Sequence, residues 1–134
     1  MENQIAPSKQ FNHERLTVKV YNNRIELGMA AGKAVASQIK RLLEIQDKVT
    51  MVFAAAPSQN EFLQTLATQA GIDWGRVVAL HMDEYVGLPA GAPQSFGRYL
   101  AEHLFDLVNP GEVHYINGNA ASVAAECQRY SRLI

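Results

Sequence analysis

Cysteine is almost missing from this chain: Cys127 is the single one in 134 residues. One thiol cannot close an internal disulfide, which fits a reducing compartment, and there is no cysteine pair to hold zinc. Long apolar runs are missing as well. No stretch approaches the roughly 20 residues a membrane-spanning helix needs, and the opening MENQIAPSKQFNHERL has no apolar segment of secretory type. A cytoplasmic location and no membrane partner are expected. An excess of one charge is equally absent. Twelve basic and thirteen acidic residues are mixed along the chain for a net charge of −1. No lysine–arginine cluster can neutralise a run of phosphates, so nucleic acid is not an expected partner.

What is present is a composition of 48% hydrophobic and 19% charged residues with 9 glycines and 5 prolines, that of a globular chain long enough for one core. RLTVKVYNN alternates Leu16, Val18 and Val20 with polar neighbours, as a half-buried or edge strand does. Asn23 and Glu26 have capping-box spacing and open a long helix with Leu27, Ala31, Ala34, Val35, Ile39, Leu42 and Leu43 on one stripe. KVTMVFAAA is a continuous apolar strand. SQNEFLQTLATQAG reads as a helix, opened by Ser58 and Glu61 at capping-box spacing and stopped at Gly71.

RVVALHM is the next strand, and PAGAP a loop. QSFGRYLAEHLFDLV follows as a helix with Phe96, Tyr99, Leu100, Leu104 and Leu107 inward, ended by NPG. A strand EVHYI leads through Asn117-Gly118-Asn119 to a last helix that runs to Ile134 with Val123, Ala124, Cys127 and Tyr130 on its apolar side. Strands alternate with helices, and the two central strands are apolar on both faces. That combination specifies a three-layer αβα, Rossmann-like parallel sheet. The last helix has no terminating glycine or cap; a natural terminus and a chain cut inside a domain both fit. Residues 1–134 are expected to form a single, incomplete α/β domain.

The stretch VVALHMDEYVGLP ends an apolar strand on two acids. In a parallel sheet, ligands sit outside the carboxyl ends of the strands, which is where Asp83 falls. A turn-initiating aspartate and a solvated glutamate would explain Asp83 and Glu84 without function. Tyr85 and Gly87 within the same few residues point the other way. A partly desolvated aspartate there could act as a general base near neutral pH. The turn FAAAPSQNEF joins a strand to a helix N-terminus, an arrangement whose N–H groups suit an anion, and Ser58 also reads as an ordinary N-cap. The histidines, His13, His81, His103 and His114, have no metal-ligand spacing. His81 shares a strand face with Asp83 by alternation and reads either as pocket floor or as core. His103 reads as a satisfied surface or boundary histidine, and Lys33 and Arg98 as solvated helix-face charges. No serine–histidine–acid arrangement and no nucleophilic cysteine is evident.

HMDEYVGLP, followed by APQSFGRYL, LFDLV and INGNA with ECQRY, resembles the glucosamine-6-phosphate deaminase (isomerase) family in order and spacing from about Val49 to Ile134. Related 6-phosphogluconolactonases carry the Asp-Glu pair but generally an arginine where Tyr85 stands, and no V-G-L after it. The resemblance implies the N-terminal part of a sugar-phosphate isomerase fold. It also implies an aldose–ketose isomerisation of an amino sugar phosphate with release of ammonia, without metal or organic cofactor. Asp83 would be the base that moves a proton between C2 and C1, Glu84 its neighbour in catalysis. Ala55, Ala56, Ser58 and Gln59 would cradle the phosphate. Three departures stand out. The usual glycine-rich, threonine-containing phosphate loop is Ala54-Ala55-Ala56-Pro57-Ser58-Gln59 here, and Phe96 stands where many members have tyrosine. The later G-x-D-G-H-x-A-F-N-E-P-like segment, with its ring-opening histidine, does not occur. A non-catalytic sugar-phosphate-binding or sensing module and a 6-phosphogluconolactonase-like hydrolase are the alternatives. A half-sheet would leave apolar surface exposed, so a homo-oligomer or association with a C-terminal half is expected.

Overall fold

The computed structural model describes residues 5–134. A hairpin of β1 (Lys9–His13) and β2 (Leu16–Val20) comes first, paired antiparallel with Phe11 opposite Val18. The helix α1 (Arg24–Leu43) follows, then β3 (Val49–Phe53), a 3₁₀ turn at Pro57–Gln59 and α2 (Asn60–Ala67). β4 (Val77–His81) comes next. The helical rod α3 is built from Phe96–Leu100, a π segment Ala101–Phe105 and Asp106–Val108. β5 (Glu112–His114) and α4 (Val123–Ser131) complete the chain. β3, β4 and β5 form a parallel sheet in that order.

The core lies on one face of this sheet. Val49 and Phe53 of β3 and Val77 and Ala79 of β4 pack against Ala36 and Ile39 of α1, Leu63 and Leu66 of α2, and Leu100, Leu104 and Phe105 of α3. The rings of Phe53 and Phe105 meet edge to face at 5.4 Å. A fully buried side chain of this size contributes about 1.5–3 kcal/mol, so the α1–α2–α3 face carries most of the apolar stabilisation. On the opposite face Val78 and Leu80 form a small cluster with Tyr130 of α4, with Ile116 and Leu133 beside them. The α/β class with helices on both faces is as expected, with a small and lopsided sheet. β3 is not covered on both faces as its composition suggests: Thr50 and Val52 remain exposed because α4 reaches only β4.

Several local readings need correction. The segment before Arg15 is not a plain lead-in: residues 9–13 form β1. β2 pairs with it and stays out of the parallel sheet, its side chains mostly exposed. Asn23 caps α1 as its spacing implies, accepting from the Glu26 N–H at 2.9 Å. The Glu26 carboxylate, however, reaches back one residue further, to the N–H of Asn22. The buried stripe of α1 is Gly28, Gly32, Ala36, Ile39 and Leu43, whereas Leu27 is exposed. Hydrophobicity misplaces this stripe because contact with α2 is made through missing side chains. A Cβ on Gly28 would fall on Glu61 and come within 2.9 Å of the Phe62 nitrogen, and one on Gly32 would lie 2.7 Å from the Thr65 Cβ. In α3, Leu107 is exposed and Phe105 buried instead, since a π segment adds a residue to the turn and rotates the inward face past position 107. In α4 only Tyr130 is buried; Val123 and Cys127 are exposed.

The close approach at Gly28 reverses an ordinary expectation. Gly→Ala in a helix interior is favourable by about 1 kcal/mol on propensity alone. Here Gly28→Ala forces α1 and α2 apart and should destabilise the chain by about 1–3 kcal/mol, the usual range for overpacking. Urea unfolding of the two proteins measures it, and a stabilised variant would contradict the packing described.

Candidate functional site

The register of β3 on β4 decides where chemistry can gather. Phe53 lies opposite His81, and the Met82 N–H donates to the Phe53 carbonyl at 3.0 Å. The segments 54–59 and 82–88 therefore leave the sheet side by side at its carboxyl edge. β5 runs parallel and releases 115–119 at the same edge. Three loops of an α/β sheet meet where ligands are usually held.

Asp83 is the first acid beyond β4, and its side chain is exposed. The expectation of a partly desolvated carboxylate is corrected, because the chain lifts off the sheet after His81 and Met82 is also solvent-facing. Among the described residues no hydrogen bond engages the Asp83 carboxylate; its main-chain carbonyl alone is held, by the His81 ring. Glu84 is the opposite case. Its Oε1 accepts from the N–H groups of Tyr85 (2.9 Å) and Phe96 (3.0 Å), and its Oε2 from Gly97 (3.0 Å). This carboxylate thus covers the open N-terminus of α3, where Ser95 also caps by accepting from Arg98 at 3.1 Å. Partial burial of Glu84 works against its charge, but the three donors from Gly97, Phe96 and Tyr85 together hold its carboxyl below the usual range. The Tyr85 ring rests on Phe96 with centroids 4.6 Å apart.

His81 is core rather than pocket floor. It is buried, its Nε2 faces the Ile116 N–H at 2.9 Å and its Nδ1 faces the Asp83 carbonyl at 2.9 Å. Since Nε2 must accept from a main-chain N–H, the proton sits on Nδ1 and donates to Asp83. Burial, first of all, pushes the imidazole below its ordinary value, and the carbonyl and carboxylates nearby offset that only in part. His103 is the boundary histidine its reading allowed: it is half-buried and stacks on Tyr99 at 4.1 Å.

The turn after β3 differs from its expected form. Ser58 is not an N-cap. Pro57 requires an extended residue before it, so the entry point moves to Ala56 at φ −161°, which has no side-chain oxygen, and Ser58 falls inside the first turn. Glu61 makes no capping box with it. It pairs with Arg24 of α1 at 2.7 Å, and Arg24 also donates to the Pro57 carbonyl at 2.9 Å. The Tyr99 hydroxyl donates to the Ala56 carbonyl at 2.7 Å, pinning the turn to α3. Among the described residues, the N–H groups of Ala55, Ala56 and Ser58 have no protein acceptor. Ser58 and Gln59 line a cavity of about 500 Å³ with Arg24, Leu27 and Phe62. Glu84 and Tyr85 line a second, of about 200 Å³, with Leu88, Ser95 and Asn117. The two share no residue: the turn at Ser58 and Gln59 and the loop at Glu84 and Tyr85 leave the same edge of the sheet but line separate cavities. Arg24 was not singled out by sequence, and Tyr99 and Tyr130 were read only as inward or apolar-face residues, since no local pattern links positions 24 and 57, 99 and 56, or 130 and 81. Among the described residues no three His, Cys, Asp or Glu side chains could hold a metal ion, and no helix is long and apolar enough to cross a membrane.

Comparison with known proteins accords with this geometry. Residues 22–134 match the model of a family described as glucosamine-6-phosphate isomerases/6-phosphogluconolactonase. The chain belongs to that family. It is 38% identical over 108 residues to the glucosamine-6-phosphate deaminase of Arthrobacter sp. (strain FB24), covering 77% of this chain and 42% of that protein. Its fold is similar to the solved structure of a monomeric glucosamine-6-phosphate deaminase (TM-score 0.73, 23% identity, 83% of this chain and 46% of that one). A 6-phosphogluconolactonase from Thermotoga maritima is also similar (TM-score 0.69, 25% identity, 81% and 48%). The chain spans about half the length of these relatives.

Two groups at the edge set a pH dependence of stability. A histidine whose folded pKa is depressed takes up its proton more readily in the unfolded chain, so stability is full above about 6.5 and is lost as pH falls below that value towards the folded pKa. The Glu84 carboxyl, also depressed, adds a second loss below about 4.5. Each proton contributes a slope of at most about 1.4 kcal/mol per pH unit. Unfolding measured from pH 7.5 to 3.5 should show the first loss in the parent and not in His81→Asn. A flat profile between pH 7 and 5 would contradict the buried neutral imidazole.

Proposed function

We propose that these residues are the base-bearing part of a deaminase that converts glucosamine 6-phosphate to a ketose phosphate with release of ammonia. They form the N-terminal portion of a larger α/β domain in this reading. One observation carries it: the register of Phe53 on His81 sets the Asp83 loop and the Ala55–Gln59 turn side by side at the carboxyl edge of the sheet. Family membership and the names of its relatives supply the substrate class.

In this reading Asp83, exposed and with no hydrogen bond to its carboxylate among the described residues, takes the proton from C2 of the opened amino sugar and returns it to C1. With that transfer the C1 carbonyl oxygen gains a proton to become a hydroxyl and the C2 amine loses one to become an imine, which water hydrolyses to the ketose and ammonia. Exposure in the chain by itself suits a base that has still to meet its substrate. Glu84 serves the reaction by orienting the loop, since its own oxygens are occupied. The free N–H groups of Ala55, Ala56 and Ser58, with the Ser58 hydroxyl and Gln59, receive the phosphate. His81 cannot carry protons during ring opening, because both ring nitrogens are engaged internally; that step belongs to groups in the rest of the family fold.

In the protein extended by that remaining part, Asp83→Asn should leave sugar-phosphate binding nearly unchanged and lower ammonia release by at least ~100-fold, the low end for loss of a general base. Turnover within a few-fold of the parent would remove Asp83 from this role. The phosphate assignment is checked on the chain itself by titrating inorganic phosphate and following amide shifts. Changes should centre on residues 55–59; changes confined elsewhere would refute it.

A further inference from the structure

We propose that His81 is the positioning residue for Asp83, fixing through its main chain the direction in which that carboxylate is presented. The inference rests on the reading of Asp83 as the base. Its grounds lie in how β4 and β5 part. Their ladder pairs Val78 with Glu112, Ala79 with Val113 and Leu80 with His114, and pairs no residue beyond that point. At His81 the gap is filled by side chains. The Tyr130 hydroxyl accepts from the His81 N–H at 2.7 Å and donates to the His114 carbonyl at 2.8 Å, standing in for the lost ladder bond. The His81 ring fills the remaining space, edge-on to Tyr115 and Tyr130.

The ring then joins two segments that have no strand contact. Nδ1–H donates to the Asp83 carbonyl, and Nε2 accepts from the Ile116 N–H, both at 2.9 Å. Beyond it the loops are stitched twice more, by the Gly87 N–H to the Gly118 carbonyl at 2.9 Å and by Asn119 to the Leu88 carbonyl at 2.6 Å. Glu84 fastens the same loop to α3. Asp83 is therefore held on both sides: its carbonyl by a buried ring, its successor by a helix N-terminus. Its carboxylate alone stays free. A rigid main chain at Asp83 narrows the region its carboxylate can sweep, which is the share of preorganisation these contacts supply.

Two variants separate this role from mere packing. In His81→Asn the amide nitrogen takes the place of Nδ1 and can still donate to Asp83, but nothing reaches Ile116. In His81→Gln the amide oxygen takes the place of Nε2 and can accept from Ile116, but the Asp83 carbonyl is released. Amide hydrogen exchange on the whole chain reads both. Loss of one net hydrogen bond corresponds to about fivefold faster exchange. The Tyr85 amide should speed up by about that factor in His81→Gln and hold in His81→Asn, and the Ile116 amide should do the reverse. Equal acceleration of both amides in both variants would reduce His81 to a packing residue and overturn the proposal. So would ¹⁵N spectra of the parent ring showing the proton on Nε2, a measurement that stands even if neither variant folds. Neither readout needs turnover. A failure to deaminate would therefore count against the proposed function and leave the test of His81 intact.

Discussion

The parallel pairing of β3 with β4, Phe53 opposite His81, is the constraint on which the rest depends. Parallel strands release their loops at one edge, and that direction brings the turn at Ala55–Gln59 next to the acids at 83 and 84. The pairing holds because five consecutive β4 residues, Val77 to His81, are buried. A slip by one residue would turn Val77 and Ala79 away from α1, α2 and α3. Geometry at the edge thus inherits its precision from apolar packing beneath it.

The two acids have separated into different tasks by environment. Glu84 lies close enough to α3 to satisfy three main-chain N–H groups, and donors at a helix N-terminus favour a charged carboxylate. Asp83, one residue earlier, is exposed, and among the described residues no donor engages its carboxylate. One carboxylate is consumed in holding the loop, and the other is the one the proposed function assigns to the substrate. The interior histidine follows the same logic: burial keeps it neutral, and neutrality gives it one donor and one acceptor, the pair needed to bridge Asp83 and Ile116.

The opposite face of the sheet is less finished. Thr50 and Val52 are exposed where β3 has no helix above it. Among the described residues Tyr130, with Leu133 and Ile116, covers Val78 and Leu80. A chain that spans about half the length of its relatives keeps a complete core on one face and a partial one on the other.

Much of this was legible in the order of residues. Alternation of strand and helix, the apolar run at 77–81, the cap at Asn23 and the Asp-Glu pair at a strand end are local patterns, set within a few residues by periodicity and turn chemistry. They determined the α/β class and the place of Asp83. What they could not determine depended on distant partners. Gly28 and Gly32 became the centre of the α1–α2 contact because α2 lies against them, and a missing side chain leaves no hydrophobic signal. The π segment at Ala101–Phe105 moved burial from Leu107 to Phe105 by rotating the helix. Proline at 57 displaced Ser58 from the cap. His81 could be read as pocket floor or as core until Tyr130 and Ile116, 49 and 35 residues away in sequence, supplied its partners. Hydrogen bonds across such separations are made only when the sheet has formed, so their choice belonged to the tertiary structure.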